Sequence, residues 1–403
     1  MSLAHGRPYL AIPGPSVMPD AVLQAMHQPA PNIYEGDIVT LVEGIVRDVK
    51  RVARTEGHVA IYIANGHGAW EAALSNLYKP GDRVLVPATG RFAHGWAEMA
   101  EGLGLVPQIV EFGTQSPIDA ARIEEILTAD TAHEIKGVLF SHVDTATSIR
   151  NDPRPLRAAL DAAGHPALLM ADCIASMACD EFHMDDWGVD VALTGSQKGL
   201  MVPPGLSFVF FNDRAKAVRA QMPRVSRYWD WVPRSEPEFV YQYFGGTSPT
   251  HHLFGLRAAL DMLHDEGMEH VWARHATLAR VVWAACERWS EGGALKLNLA
   301  DRSLRSHAVT ALGVGIGNGQ KMRAWTAENA GLTLGLGLGM ATEEDPHGTG
   351  FFRIGHMGHL NAHMVLGAVG VIEAGLQALQ IPHGKGALEK AAEVVAQPEA
   401  VAF

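Results

Sequence analysis

Apolar positions along this chain follow two periods, and the two alternate. From Asp37 onward, Ile38, Leu41, Val42, Ile45, Val46 and Val49 fall at helical spacing and make one apolar stripe. Arg47, Asp48, Lys50 and Arg51 fill the other side, so a helix begins at Asp37. Short apolar runs of strand length come after it: His58 to Ala64, Arg83 to Pro87, Pro107 to Phe112, Gly137 to His142, Ala167 to Ala171, Val189 to Thr194 and Leu206 to Phe211. Between several of them lie Ala-rich segments of helix length, such as Ala69 to Leu77, Gly95 to Glu101 and Leu156 to Ala163. This alternation predicts a mostly parallel sheet flanked by helices, in which ligands sit at the strand carboxyl ends.

The pattern changes near Gly267. Two helical stretches (His252 to His264, Met268 to Trp289) lead into strand Ala308 to Ile316, helix Lys321 to Ala330, strand Phe351 to Ile354 and helix Ala362 to Leu379. That predicts a smaller C-terminal α/β domain. Prolines at 13, 15 and 19 keep the opening from being regular helix, so it is expected to be an extended arm. The expected division is an arm over 1–20, a large domain over 21–267, a small domain over 268–385 and a frayed helical tail over 386–403.

Composition narrows the class. A chain of 403 residues with 47% hydrophobic and 19% charged residues has ample material for a compact core. The net charge of −12 argues against nucleic acid and anionic membrane as general partners. The cysteines, Cys173, Cys179 and Cys286, form neither a disulfide framework nor a zinc knuckle, and fit a reducing cytoplasm. The first residues lack the basic and apolar regions of a secretory signal. No run of about 20 apolar residues predicts a membrane span.

The chemistry concentrates at strand ends. The run Val189 to Thr194 stops at Gly195-Ser196-Gln197-Lys198-Gly199, and Pro203-Pro204-Gly205 stiffens the next turn. The run Ala167 to Ala171 stops at Asp172. A lysine and a carboxylate at neighbouring strand ends suit pyridoxal phosphate: the amine forms the Schiff base and the carboxylate keeps the pyridine nitrogen protonated. Asp172 could equally cap a helix. Asn65-Gly66-His67-Gly68 lies between a strand and a helix, where backbone N–H groups bind phosphate, though plain tight turns share this composition. Arg353, among apolar strand residues, either pairs internally or receives a carboxylate.

Rival readings carry less. His356, His359 and His363 have a metal-like spacing, with Asp345 and His347 near in sequence, but Gly355 and Gly358 break the helix and no second cluster completes a site. Gly335-Leu336-Gly337-Leu338-Gly339 fails the dinucleotide spacing. Tyr228, Trp229 and Trp231 are expected to pack in the core or at a subunit contact.

Together these segments resemble the class V aminotransferases of pyridoxal-phosphate fold type I, in the alanine/serine–glyoxylate group, over about Ile12 to Leu379. The resemblance implies that Lys198 bonds the coenzyme and later moves the proton. Asp172 pairs with the ring nitrogen, Ile174 packs under the ring and Phe92 stacks on it. Gly66, His67, Gly68 and Gln197 hold the phosphate, and Thr247 reaches it from a neighbouring subunit, which implies a homodimer. Thr145 matches the donor near the ring hydroxyl. Arg353 grips the substrate carboxylate beside the Pro13-Gly14-Pro15 arm.

The chain departs from the pattern at Phe244, where relatives carry a tyrosine, and over Met340 to Gly350, which is longer than the usual loop. The Gly66-His67-Gly68 turn with Thr247 favours the phosphorylated cofactor over free pyridoxamine. No cysteine sits in the loop before Arg353, where a desulfurase carries its nucleophile. The expected reaction moves an amino group from serine, alanine or aspartate to glyoxylate or pyruvate. Another fold-type-I chemistry (pyridoxamine–pyruvate transamination, a lyase or a racemase) and a metal-dependent hydrolase are the alternatives.

Overall fold

The computed structural model describes residues 2–293 and 295–398. In chain order the strands are β1 (Tyr9–Ala11), β2 (His58–Tyr62), β3 (Arg83–Ala88), β4 (Val106–Glu111), β5 (Ile135–Ser141), β6 (Val143–Asp144), β7 (Ile149–Arg150), β8 (Leu168–Asp172), β9 (Val191–Gly195), β10 (Ser207–Phe211), β11 (Lys296–Leu297), β12 (Val309–Gly313), β13 (Leu332–Leu336) and β14 (Phe351–Gly355). The helices are α1 (Asp20–Met26), α2 (Asp37–Ala53), α3 (Gly66–Leu77), α4 (Arg91–Gly102), α5 (Ala120–Ala129), α6 (Pro153–Ala162), α7 (Asp213–Ala220), α8 (Val232–Ser235), α9 (Thr250–Glu266), α10 (Met268–Ser290), α11 (Asn318–Ala330), α12 (Ala362–Ala378) and α13 (Ala387–Ala396).

The seven predicted strands make one seven-stranded sheet of order β2-β10-β9-β8-β5-β3-β4. Only β10 runs against its neighbours. Both faces are covered, so the strands are apolar throughout rather than alternating. Period two still sorts the side chains. Phe140, Leu169, Ala171, Ala192 and Phe208 enter one core; Leu139, Leu168, Met170, Leu193 and Val209 enter the other. Asp172 falls in step with Leu168 and Met170, which directs it to the second face, beside Trp70 of α3 and Phe92 of α4. Trp231 packs into that same core, stacked on Phe211 with ring centroids 4.1 Å apart, while Tyr228 is exposed.

A second sheet of five strands has the order β1-β13-β14-β12-β11. Its outer strand differs from expectation. Tyr9–Ala11 of the opening arm pairs in parallel with Leu332–Leu334, so the arm is part of this sheet. No proline falls within Tyr9–Ala11: Pro8 precedes the strand and Pro13 follows it, which leaves the strand's own N–H groups free for a ladder. Strand β12 ends at Gly313, short of Ile316, because Val314 N–H turns to the Gly350 carbonyl and Gly315 adopts φ +90°. The tail is ordered as far as described: α13 packs on α10 and α12. Of the tail expected over 386–403, residues 399–403 lie outside the described residues, as do Met1 and Ala294. Among the described residues no helix is long and apolar enough to cross a membrane.

Candidate active site

Lys198 comes after β9 in a turn held from outside. Ser16 of the arm donates its N–H to the Gln197 carbonyl at 2.9 Å and its hydroxyl to the Lys198 carbonyl at 2.7 Å. The Lys198 amine donates to the Pro13 carbonyl. Gly14 adopts φ +101°, and a Cβ there would strike the Lys198 side chain. Only glycine meets both demands. Val17 makes a parallel bridge to Gly358, so the arm ties the lysine turn to the chain after β14.

Burial and the nearby Arg353 charge push the Lys198 amine down to about 8, against the pull of Asp172. Asp172 is 3% exposed, and burial pushes its carboxyl up to about 7. Its Oδ1 accepts from Ile174 N–H at 2.8 Å and its Oδ2 from Trp70 Nε1–H at 3.2 Å. Both groups therefore sit close to neutral pH, where proton movement is easiest.

The turn at the start of α3 faces the same pocket. A Cβ on Gly66 would collide with Ile174, so glycine here lets the helix start approach the chain after Asp172. The Asn65 side chain caps the helix, accepting from His67 N–H at 3.1 Å and Gly68 N–H at 3.3 Å. An anion arriving there shares those donors with Asn65. His67 lies edge-on to Trp70 at 4.8 Å, and Trp70 edge-on to Phe92 at 6.4 Å. The Gln197 amide oxygen is buried with no hydrogen-bond partner.

Arg353 reaches the site from β14. It is 6% exposed, with Nε donating to the Leu336 carbonyl at 2.6 Å and Nη1 to the Thr145 carbonyl at 2.9 Å. No hydrogen bond engages Nη2 among the described residues. Burial lowers its proton affinity to about 10, opposed by Asp144. The glycines before it have a packing reason. A Cβ on Gly335 would meet Pro13 Cδ at 2.7 Å, and one on Gly339 would meet Arg91 Cβ at 2.6 Å. Glycine here lets the arm lie directly on β13 and the start of α4 lie directly on the segment after it.

The chain belongs to the class-V aminotransferases. The family pattern described as Aminotransferase class-V matches residues 9–341. The chain is 38% identical over 380 residues to the serine–glyoxylate aminotransferase of Methylorubrum extorquens, covering 92% of this chain and 91% of that one. It is 36% identical over 375 residues to the L-aspartate–glyoxylate aminotransferase of Paracoccus denitrificans, covering 92% and 91%. The pyridoxamine–pyruvate aminotransferase structure from Mesorhizobium loti superposes with TM-score 0.85 at 25% identity, covering 98% of this chain and 99% of that one.

Within this aminotransferase, Lys198, Asp172, Gly66, Ile174, Phe92, Thr145, Arg353 and Gly14 lie around one region. Thr247 does not join them in the single chain: it is exposed, and no hydrogen bond links it to the Gly66 turn. Phe244, 1% exposed, belongs to the large core. The long Met340–Gly350 segment is folded on itself by Asp345, whose carboxylate accepts from Thr349 Oγ1 at 2.8 Å and Gly350 N–H at 2.6 Å.

The histidine cluster separates. His356 is buried, with Nε2 on the Thr310 hydroxyl at 2.9 Å and Nδ1 on the His307 carbonyl at 2.8 Å. His359 and His363 instead line a surface groove. Among the described residues no group of three His, Cys, Asp or Glu is placed to hold a metal.

Sequence reasoning missed three residues. Asp144 is fully buried, its carboxylate accepting from Phe92 N–H at 2.9 Å and Ala146 N–H at 2.8 Å. Its position at a strand end, like that of Asp172, was a signal. Arg234 is 1% exposed and satisfied by carbonyls of Ile61, Tyr228 and Tyr243, which anchors the segment leading to Thr247. Trp70 binds Asp172 from a distant part of the chain, and nothing local announced it.

Proposed function

We propose that this chain is a pyridoxal 5′-phosphate-dependent transaminase that moves an amino group from a small L-amino acid (serine, alanine or aspartate) to glyoxylate or pyruvate. One observation carries the reading: in a chain of this family, a lysine and a buried carboxylate, each poised near neutral pH, converge at the carboxyl ends of adjacent parallel strands. The names of the serine and aspartate relatives share glyoxylate as acceptor, which supports it here.

The residues suit the coenzyme. A helix start with glycine at its closest approach suits the phosphate, and so does Gln197, beside Lys198, through the NH2 of its amide. Gly66, His67, Gly68 and Gln197 would hold it from this chain, and Thr247 would hold it from the neighbour in a homodimer. Phe92 and Ile174 would contact the ring, Thr145 its hydroxyl and Asp172 its nitrogen. When bound, the coenzyme supplies an electron sink for charge developing at the substrate Cα.

The chain's own groups do the rest. Burial beside Arg353 lets far more of the Lys198 amine be neutral than in an ordinary lysine, so it can take the Cα proton and return it. The Leu336 and Thr145 carbonyls fix the Arg353 plane, which leaves Nη2 for the substrate carboxylate. Closure by the arm excludes water, and the Pro13 carbonyl gives the lysine amine a resting partner. Asp172 would face the ring nitrogen with a carboxyl group whose proton affinity burial raises to about 7.

We also divide the chain into the arm 1–20, a large domain over 21–267, a small domain over 268–385 and a tail. The support is the break at Gly267, φ +84°, between α9 and α10. Three buried free cysteines suit a reducing, cytoplasmic setting.

The test is direct. Protein saturated with the coenzyme should turn yellow, bleach on borohydride and carry the reduced adduct on Lys198 by peptide mapping. A panel of amino donors against glyoxylate and pyruvate then names the pair. Colourless protein with no adduct overturns the reading.

A further inference from the structure

None of the roles above uses Trp70. It is 1% exposed, one turn into α3, and its indole N–H meets Asp172 Oδ2 at 3.2 Å. The other oxygen accepts from Ile174 N–H, a bond that an aspartate at a strand end finds two residues on without help from the fold. The indole bond is different, because it crosses 102 positions of sequence.

Packing alone does not produce such a contact. Trp96 stacks on Trp70 with centroids 6.0 Å apart and planes within 15°, yet its own buried Nε1 has no partner. The Nε1 atoms of Trp231 and Trp289 are likewise buried without partners among the described residues. Trp229 and Trp283 do find acceptors, Glu71 Oε1 at 3.0 Å and the Thr310 hydroxyl at 3.1 Å, but only Trp70 donates to the strand-end carboxylate Asp172.

We propose that Trp70 is a positioning residue: its indole N–H fixes the orientation of the Asp172 carboxylate and favours its ionised form. This rests on the reading of Asp172 as partner of the coenzyme ring nitrogen. The physical reason is asymmetry. Indole N–H is donor-only and keeps its proton across the working pH range, so it favours a carboxylate over a carboxylic acid at every pH. The titratable groups facing Asp172 vary. Asp144 from β6 raises its proton affinity, Lys198 from the turn after β9 lowers it, and the Cys173 thiol lies alongside. The Ile174 N–H and the Trp70 indole are the constants, and of the two only Trp70 is a side chain.

The experiment tracks Asp172 Cγ by carbon NMR across pH in the full-length, coenzyme-free chain, with Asp172→Asn supplying the assignment. Trp70→Phe keeps an aromatic ring and removes the N–H. Its Asp172 midpoint should rise by about one pH unit, a tenfold gain in proton affinity. Trp96→Phe trims the same stack without removing a bond to Asp172, and its midpoint should stay put. Equal movement in the two variants overturns the proposal.

A second measurement needs no change at position 70. In the native chain, the Trp70 indole resonance should move with the Asp172 titration and shift in Asp172→Asn, while that of Trp96 should not. A Trp70 resonance indifferent to both overturns the proposal even if Trp70→Phe fails to fold. With coenzyme added, Trp70→Phe should lose about tenfold in affinity while Lys198 still forms the reducible adduct. If no form of the protein binds coenzyme, the functional reading fails, and the titrations still decide the bond.

Discussion

The two sheets supply the site in different ways. The seven-stranded sheet places Asp172 and Lys198 at the ends of adjacent parallel strands, each within a short span of its own strand. The five-stranded sheet draws on residues 9–11 and on residues from 296 to 355, and it delivers Arg353. Arg353 is held by one carbonyl from its own sheet, Leu336, and one from the large-sheet side, Thr145. So the lysine and the aspartate take their character from local burial, while the arginine reports how the two sheets meet. The arm joins both, because it is a strand of the small sheet and a clasp on the lysine turn.

The largest effect should come from the large sheet. Lys198→Ala should cut turnover by ~10³-fold or more with unchanged circular dichroism. Full transamination by that variant would show that the strand-end lysine has no chemical role. On the small-sheet side, Arg353→Ala should cost about 100-fold in kcat/KM for amino acids, and Arg353→Lys should recover only part, since it lacks the fork. Unchanged substrate binding in both would make Arg353 a purely structural link.

The clasp between the sheets is tested by Gly14→Ala. The new Cβ meets Lys198 at a backbone angle that disfavours side chains, so melting should report a loss of about 1–3 kcal/mol together with slower turnover. Normal stability and rate would mean that the arm does not press on the lysine.

Asp172 predicts a pH signature of the coenzyme-free chain. Its folded value, about 7, lies above the ordinary 3.8, so the folded state keeps a proton that the unfolded chain has released. This contribution to stability is present below the ordinary range and is lost as pH rises toward 7, by up to about 1.4 kcal/mol per pH unit. Denaturant titrations should show that slope in the native chain and lose it in Asp172→Asn. The smallest effect is a helix cap: Asn65→Ala should cost about 1 kcal/mol, read as a lowered denaturation midpoint.

Much of this was readable from the chain. All seven strands of the large sheet were predicted with ends within two residues, because strands buried on both faces are apolar throughout and stop at turn residues. Lys198, Asp172 and the Gly66 turn were visible for the same reason, since each interrupts an apolar run. Strand β1 was hidden, because a three-residue strand finds its partner more than 300 positions away. Strand β13 was hidden beside Gly335 and Gly337, where glycine answers to Pro13 and to Gly348 and Phe351 rather than to strand propensity.

The sequence by itself determined the alternation of strands and helices, the strand ends that carry an amine and a carboxylate, and the turn that starts α3. These depend on residues close together in the chain, where period and turn chemistry act directly. Only the tertiary structure decided that Trp70 donates to Asp172, that Pro13 meets Lys198 and that Thr145 holds Arg353. Such contacts join distant segments, and their partners are set by how the sheets and the arm pack. The proton affinities are set there as well, because they depend on how much water that packing removes.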